Sequence, residues 1–251
     1  MIKVQSSVQP RQRARFLPAG DAALVVELGE SIDDVTNNRV LALDALLTGA
    51  GIAGVEETVP TYRSLLVAYD PGTVAFADLV RRLELLLDEP EDSVAAPAGR
   101  RWSLPVVYGG SFGEDLQFVA NASDLSEEEV VRRHAEAEYR VYMIGFQPGF
   151  AYLGGLDPQL HLPRRADPRA TVEAGSIAIG GSQSAVYSVA CPSGWHLVGR
   201  SPVRVFDSRR EQPFLLSAGD RVRFRPLPAE AWEPLARRAD AGDVVAEELP
   251  E

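Results

Sequence analysis

Over residues 15–87 the chain alternates between two apolar periods. Arg15-Phe16-Leu17 leads into a Pro18-Ala19-Gly20-Asp21 turn and then the apolar run 22–28, the pattern of a hairpin. Ser31 can cap a helix with Asp34 at its third position. Ile32, Val35, Leu43, Leu46 and Leu47 then share one broad face before Gly49 and Gly51 stop it. Strands are expected at about 55–59 and 64–69, followed by a second amphipathic helix that uses Phe76, Leu79, Val80, Leu83 and Leu86. The order ββαββα predicts a small two-layer α/β domain spanning residues 1–87, within an α+β chain.

Residues 88–99, DEPEDSVAAPAG, mix acid, proline and small residues without an apolar period, as a solvated connection does. A second domain is therefore expected over 100–251. It opens with a strand at 102–108 and a Gly-rich turn, then a helix whose start is marked by Ser126 and Glu129. From Tyr139 the pattern turns to short β-rich runs broken by Gly and Pro: YRVYMIG, SIAIGG, SAVYSV, WHLVGR, VRVFD, PFLL and DRVRFRP. Many short strands with frequent turns favour a closed or nearly closed barrel. A short helix from Ala229 and a mobile acidic tail, DVVAEELPE, complete the reading.

Composition narrows the chemistry. Nothing among the 251 residues approaches the ~20 continuous apolar residues of a membrane span. The N-terminal segment has no apolar run ahead of a cleavage site, so a cytoplasmic protein is expected. A net charge of −11 opposes binding to nucleic acid, whose affinity comes from phosphate neutralisation. Cys191 is the single cysteine, and His134, His161 and His196 stand far apart, so no built-in metal centre is expected. Lys3 is the sole lysine, which excludes a G-x-x-x-x-G-K-[ST] loop and leaves arginine and backbone N–H groups to hold any phosphate.

Three segments stand out. Residues 145–158 combine aromatics with four glycines and two prolines, a mixture that neither helix nor strand tolerates. Such a loop either presents an aromatic wall with Gln147 and backbone donors for a carbonyl or carboxylate, or packs its own rings across the barrel. Residues 161–169 place Arg164, Arg165 and Arg169 on a proline-stiffened loop. Guanidinium forks suit a carboxylate or phosphate, so anion binding is favoured for Arg164 and Arg165, while Arg169 reads as structural. Gln183, Tyr187, Trp195 and Arg200 line one pocket if neighbouring strands bring them together. His134 is the best general-base candidate, against the commoner structural role of a lone helical histidine. Cys191 has no activating partner in the sequence and reads as a small buried residue.

The runs FLPAGDAALVVELG, VPTYRSLLVAYDP, PVVYGGSFGEDL, EYRVYMIGFQPGFAYLGGLDPQLHLPRRADPR, AGSIAIGGSQSAVYSVACPSGWHLVGRSP and FLLSAGDRVRF resemble the family of the 5-oxoprolinase B subunit, also called allophanate hydrolase subunit 1 or KipI-like, over about 15–227. The resemblance implies a small α/β domain followed by a cyclophilin-like β-barrel. It also implies ATP-dependent opening of the 5-oxoproline lactam to glutamate together with the A and C subunits, with no activity for this chain alone. ATP, with Mg, would bind at a site shared with those partners, and the substrate would be a small carboxylate. On this reading Arg164, Arg165 and Arg200 hold carboxylate or phosphate, Gln147, Gln183 and Tyr187 orient the ring beside Trp195, and His134 moves a proton. The alternatives are a KipI-like inhibitor of a sensor histidine kinase and a carboxyltransferase component of a urea carboxylase or allophanate hydrolase system. No biotin-carrying A-M-K-M sequence occurs, so a partner would have to supply biotin. Ser193-Gly194 and Ser184-Ala185 depart from the family's usual Gly-Gly and Thr-Gly pairs.

Overall fold

The computed structural model describes residues 13–89 and 98–250; residues 1–12, most of the connection expected at 88–99, and Glu251 lie outside the described residues. Contacts divide the chain into two compact units, Met1–Pro97 and Ala98–Glu251.

In the first unit the elements run β1 (Arg15–Pro18), β2 (Ala23–Glu27), α1 (Asp34–Ala50), β3 (Val55–Pro60), β4 (Ser64–Tyr69) and α2 (Phe76–Leu87). The strands form an antiparallel sheet in the order β1-β2-β4-β3. Leu24, Val26, Leu65 and Val67 alternate onto its covered face, where Leu43 and Leu47 of α1 and Leu79 and Leu83 of α2 complete a core. The start of α1 differs from expectation. Asp33 is the cap, accepting from the Thr36 N–H at 2.8 Å, and Ser31 instead donates to the Asp33 carboxylate. Ile32 thus precedes the helix. At about 100° per residue Val35 falls outside the Val40–Leu43–Leu47 stripe, and it is 72% exposed.

The second unit contains β5 (Arg101–Tyr108), α3 (Leu116–Ala122), α4 (Glu127–Glu136), β6 (Tyr139–Ile144), β7 (Ala151–Gly154), β8 (Arg169–Val172), β9 (Ser176–Gly180) and β10 (Gln183–Val186). It continues with β11 (Cys191–Ser193), β12 (His196–Arg200), β13 (Arg221–Leu227), α5 (Trp232–Asp240) and β14 (Glu247–Leu249). Seven strands close a barrel in the order β12-β9-β10-β7-β6-β13-β5, with β5 returning to β12 through Tyr108–Gly199 and Val107–Arg200. The β13–β5 pair is parallel and the other barrel pairs are antiparallel. The chain is therefore mixed α/β with a closed barrel, as a cyclophilin-like architecture requires.

Three expectations are corrected. VRVFD and PFLL form no strands; they meet through a single Phe206–Phe214 bridge. The short helix α3, whose buried Leu116, Val119 and Ala120 follow an i, i+3, i+4 spacing, stands where only a Gly-rich turn was expected between the strand and the Ser126 helix. The acidic tail is not free, because β14 pairs with Arg101–Ser103 and covers the edge of β5 that β12 leaves open.

Strand alternation sorts the barrel residues. Val141, Leu153, Ile177, Ile179, Val186, Val198 and Val222 fill the interior. Their neighbours Tyr152, Ala178, Ala185 and Leu197 belong to a separate outer cluster. That outer cluster positions the candidate site.

Candidate functional site

The outer face of β7, β9 and β10 carries small residues, and a layer of rings rests on them. Ala185 pairs with Tyr152 on one side and Ala178 on the other, while Gln183 pairs with Gly180. Since residues two apart share a face, Gln183, Ala185, Ala178, Gly180 and Tyr152 lie on one surface. Trp195 covers Gly180 so closely that a Cβ there would stand 2.4 Å from the indole. Phe150 packs edge-on to Tyr152 (4.7 Å between centroids), Tyr187 (4.9 Å) and Trp195 (6.3 Å). The loop before it is a tight turn in which Phe150 N–H donates to Gln147 O at 3.0 Å and Gly145 N–H to Phe150 O at 3.1 Å. Gly149, at φ +75°, passes against Phe206 where a side chain would collide. Of the two readings of residues 145–158, both hold in part: Phe150 is buried in the layer, whereas Phe146 stays 64% exposed.

Arg164 reaches over this layer, its guanidinium 5.6 Å from the Trp195 ring centroid, a cation–π arrangement. The backbone on either side is anchored. The His196 Nε2 bonds Pro163 O at 2.9 Å, Arg165 N–H donates to Gly194 O at 2.7 Å, and Leu162 bridges Gly181. The Arg164 side chain is exposed and has no carboxylate partner among the described residues. Burial pushes the Tyr152 phenol up against the opposing pull of the Arg164 charge, and pushes Tyr187 up to about 12. Both rings therefore keep their protons at neutral pH. Tyr187 and Ser193 Oγ lie 2.6 Å apart, and the same oxygen accepts from Trp195 N–H at 3.0 Å. Burial also raises the Cys191 thiol within this cluster, which keeps it a packing residue.

The structure thus brings Arg164, Tyr187, Trp195 and Gln183 together, with Gln147 at the turn that delivers Phe150. It sends the other candidates elsewhere. Arg165 donates to Asp115 at 2.9 Å, and Arg169 grips the same carboxylate at 2.8 and 2.9 Å. Asp115 also accepts from Leu197 N–H at 2.8 Å. Burial would raise its carboxyl, but the Arg169 and Leu197 bonds and the two positive charges hold it below its usual value. Arg165 is a strut, because a buried carboxylate must be paired and this loop supplies the cations. Arg200 donates to Ala174 O at 2.9 Å, faces Glu173 and lies 5.1 Å over Trp232. It stands opposite Ser176, at the other end of β9 from Gly180. His134 is fully buried, between Tyr108 OH at 2.8 Å and Ser184 Oγ at 3.0 Å, and stacks on Phe224 at 4.8 Å. Burial lowers its pKa to about 3, so the ring is neutral and serves the barrel core rather than a reacting group.

A family profile described as carboxyltransferase domain, subdomain C and D, matches residues 14–216. The 5-oxoprolinase B subunit of Escherichia coli O157:H7 is 43% identical over 216 residues, 86% of this chain and 97% of that protein. The chain belongs to the 5-oxoprolinase B subunit family. The Bacillus subtilis (strain 168) protein of the same name is 36% identical over 82% of this chain and 89% of its own length. The crystal structure of TTHA0988 superposes with a TM-score of 0.73 at 38% identity, covering 82% of this chain and 40% of that longer one.

As a member of the 5-oxoprolinase B subunit family, the chain presents Arg164, without a carboxylate partner among the described residues, above an aromatic surface, with the carboxamide of Gln183 on the same face. That arrangement matches the chemistry of a small anion with an apolar edge: a guanidinium fork for the charge and ring faces for the edge. Tyr152 and Phe150 complete it, two rings that the sequence pattern does not single out as site residues. Their two-residue spacing beside Gly145 and Gly149 is the available signal, since rings at i and i+2 around a strand start share a face.

Proposed function

We propose that this chain is the B component of an ATP-dependent 5-oxoprolinase and contributes the carboxylate-binding surface for 5-oxoproline. The carrying observation is Arg164: backbone-anchored on both sides, cation-paired only to a ring, and placed over Trp195. The substrate carboxylate bonds the Arg164 fork, and the CH2 edge of its ring lies against Trp195 and Tyr152. Gln183 and the protonated Tyr187 help orient the lactam. An amide carbonyl is a poor electrophile. Transfer of the ATP γ-phosphoryl group to the lactam oxygen makes that oxygen a leaving group. Water then adds at the carbon, the C–N bond breaks with a proton passing to the nitrogen to leave an acyl phosphate, and a second water hydrolyses that acyl phosphate to glutamate and inorganic phosphate.

A single unpaired guanidinium at this surface is too little for a triphosphate and its Mg, so we assign ATP binding to a site completed by the A and C subunits. Proton transfer also falls to groups other than His134, whose ring has no exposed face. The isolated chain is then inactive. Among the described residues no helix is long and apolar enough to cross a membrane, and we place the complex in the cytoplasm.

Arg164→Gln in the reconstituted three-component complex tests the assignment. Loss of a charge-assisted hydrogen bond of about 1.5–3 kcal/mol raises KM for 5-oxoproline by about 10- to 100-fold at unchanged melting temperature. Unchanged kinetics would remove Arg164 from the site. The family description as a carboxyltransferase domain supports a second reading, transfer of a carboxyl group to a urea-like acceptor. A biotinylated companion polypeptide and bicarbonate-dependent turnover would favour it over lactam opening.

A further inference from the structure

The barrel unit contains a second concavity that shares no residue with the aromatic layer. It is a cavity of about 450 Å³ lined by Arg100, Trp102, Arg210, Phe214, Val244 and Glu248, among others, a size within the range of small-molecule sites. One wall is apolar. Phe214 is 47% and Val244 44% exposed, more than their hydrophobicity favours. The Trp102 indole is fixed at its edge, donating from Nε1 to Asp220 at 3.2 Å, while Arg100 lies 5.0 Å above the ring.

Arg210 is the unusual member. Its Nη2 donates to the carbonyls of Arg204 (2.6 Å) and Pro213 (3.3 Å), and its Nε is buried with no hydrogen-bond partner. No carboxylate among the described residues is within ion-pair distance of it. Asp207, whose charge acts on it, is gripped by Arg209 through both carboxylate oxygens. Asp220 is likewise occupied, accepting from the N–H groups of Arg100 and Ser217 as well as from Trp102. A half-buried guanidinium whose nearby acid is already held by another arginine costs stability, and an anion entering the cavity would offset that cost. Of the ionisable groups lining it, Arg100 is ion-paired with Asp220 at 3.5 Å, which leaves Arg210 as the lining cation with no carboxylate within ion-pair distance among the described residues, and Glu248 as the lining carboxylate.

We propose that this cavity is a binding site for a small monocarboxylate with a flat apolar body, its carboxylate on Arg210 and its body against Phe214 and Val244. A phosphate dianion fits less well, because one available guanidinium, a lining carboxylate and an apolar wall leave most of its oxygens unpaired. The site is independent of the 5-oxoproline reading.

Benzoate is the probe, measured against the full-length protein by isothermal titration calorimetry, with benzamide as its neutral counterpart. Benzoate should bind saturably with one-to-one stoichiometry and benzamide at least 10-fold more weakly. Millimolar inorganic phosphate should not displace benzoate. Arg210→Gln should weaken benzoate at least 10-fold, and Val244→Asp, at an exposed position that tolerates the change, should do the same by repulsion. Arg164→Gln should leave benzoate binding intact. No saturable binding, equal affinity for benzamide, displacement by phosphate, or retained affinity in a folded Val244→Asp protein would overturn the proposal. Loss of binding in Arg164→Gln would place the carboxylate on the aromatic layer instead and overturn it as well.

Discussion

Replacing Gly180 by alanine tests the geometry under Arg164 without touching a polar group. A Cβ at that position would lie 2.4, 2.6 and 2.7 Å from Cδ2, Cε2 and Cγ of Trp195. Carbon atoms rest about 3.5–4.0 Å apart, so the indole must withdraw by about 1 Å. Phe150 and Tyr152 pack against its edges and Arg164 covers it, so the shift must displace these neighbours. Overpacking of this kind costs about 1–3 kcal/mol, and a weakened cation–π contact adds about 0.5 kcal/mol. A total near 2 kcal/mol lowers the melting temperature of a chain this size by about 4–8 °C. The assay pairs thermal unfolding with acrylamide quenching of tryptophan fluorescence and the KM for 5-oxoproline in the assembled complex. All three should move together. Gly49→Ala, in α1 with nothing within 4 Å of the new methyl, is the control and should be neutral or stabilising by about 0.5–1 kcal/mol. A Gly180→Ala protein with native melting temperature, quenching and KM would refute the claim that Trp195 is seated on Gly180 and holds Arg164 in place.

Asp115→Asn should cost about 2–3 kcal/mol at pH 7, below the full penalty for breaking a buried pair because Arg165 and Arg169 remain partly exposed. The folded-state pKa of Asp115 is depressed, so its contribution is present above the unfolded value near 3.8 and is lost as pH falls through the lower folded value. Urea midpoints at pH 7 and pH 3 should therefore differ less in the variant than in the wild type. His134 gives an acid dependence in a different window. With a folded pKa of about 3 against 6.5, stability should fall as pH drops from about 6.5 toward 3, by up to about 1.4 kcal/mol per unit, and His134→Gln should flatten that slope. An unchanged slope in urea titrations between pH 7 and 4 would mean the ring is not buried in its neutral form.

Much of this organisation is written in local pattern. The ββαββα order, most of the barrel strands apart from VRVFD and PFLL, and the Ser126 cap follow from apolar period and turn chemistry, signals carried within a few consecutive residues. The residue class at the site is equally legible: aromatics on a Gly/Pro loop and arginines on a stiffened one are visible without coordinates. The division of labour among the arginines is not. Arg164 and Arg165 are adjacent and chemically identical, and only the fold puts Asp115, fifty residues away, beside one of them. His134 has the titration range of a base, whereas a lone histidine's burial depends on which barrel face its helix meets. Arg200 likewise shares a motif with Trp195 but sits at the far end of the strand pair. Local sequence determines which stretches become strand or helix, since backbone preference and apolar period act over one or two turns. Which charge is neutralised and which is left to meet a ligand depends on contacts between residues distant in the chain, and that only the closed barrel decides.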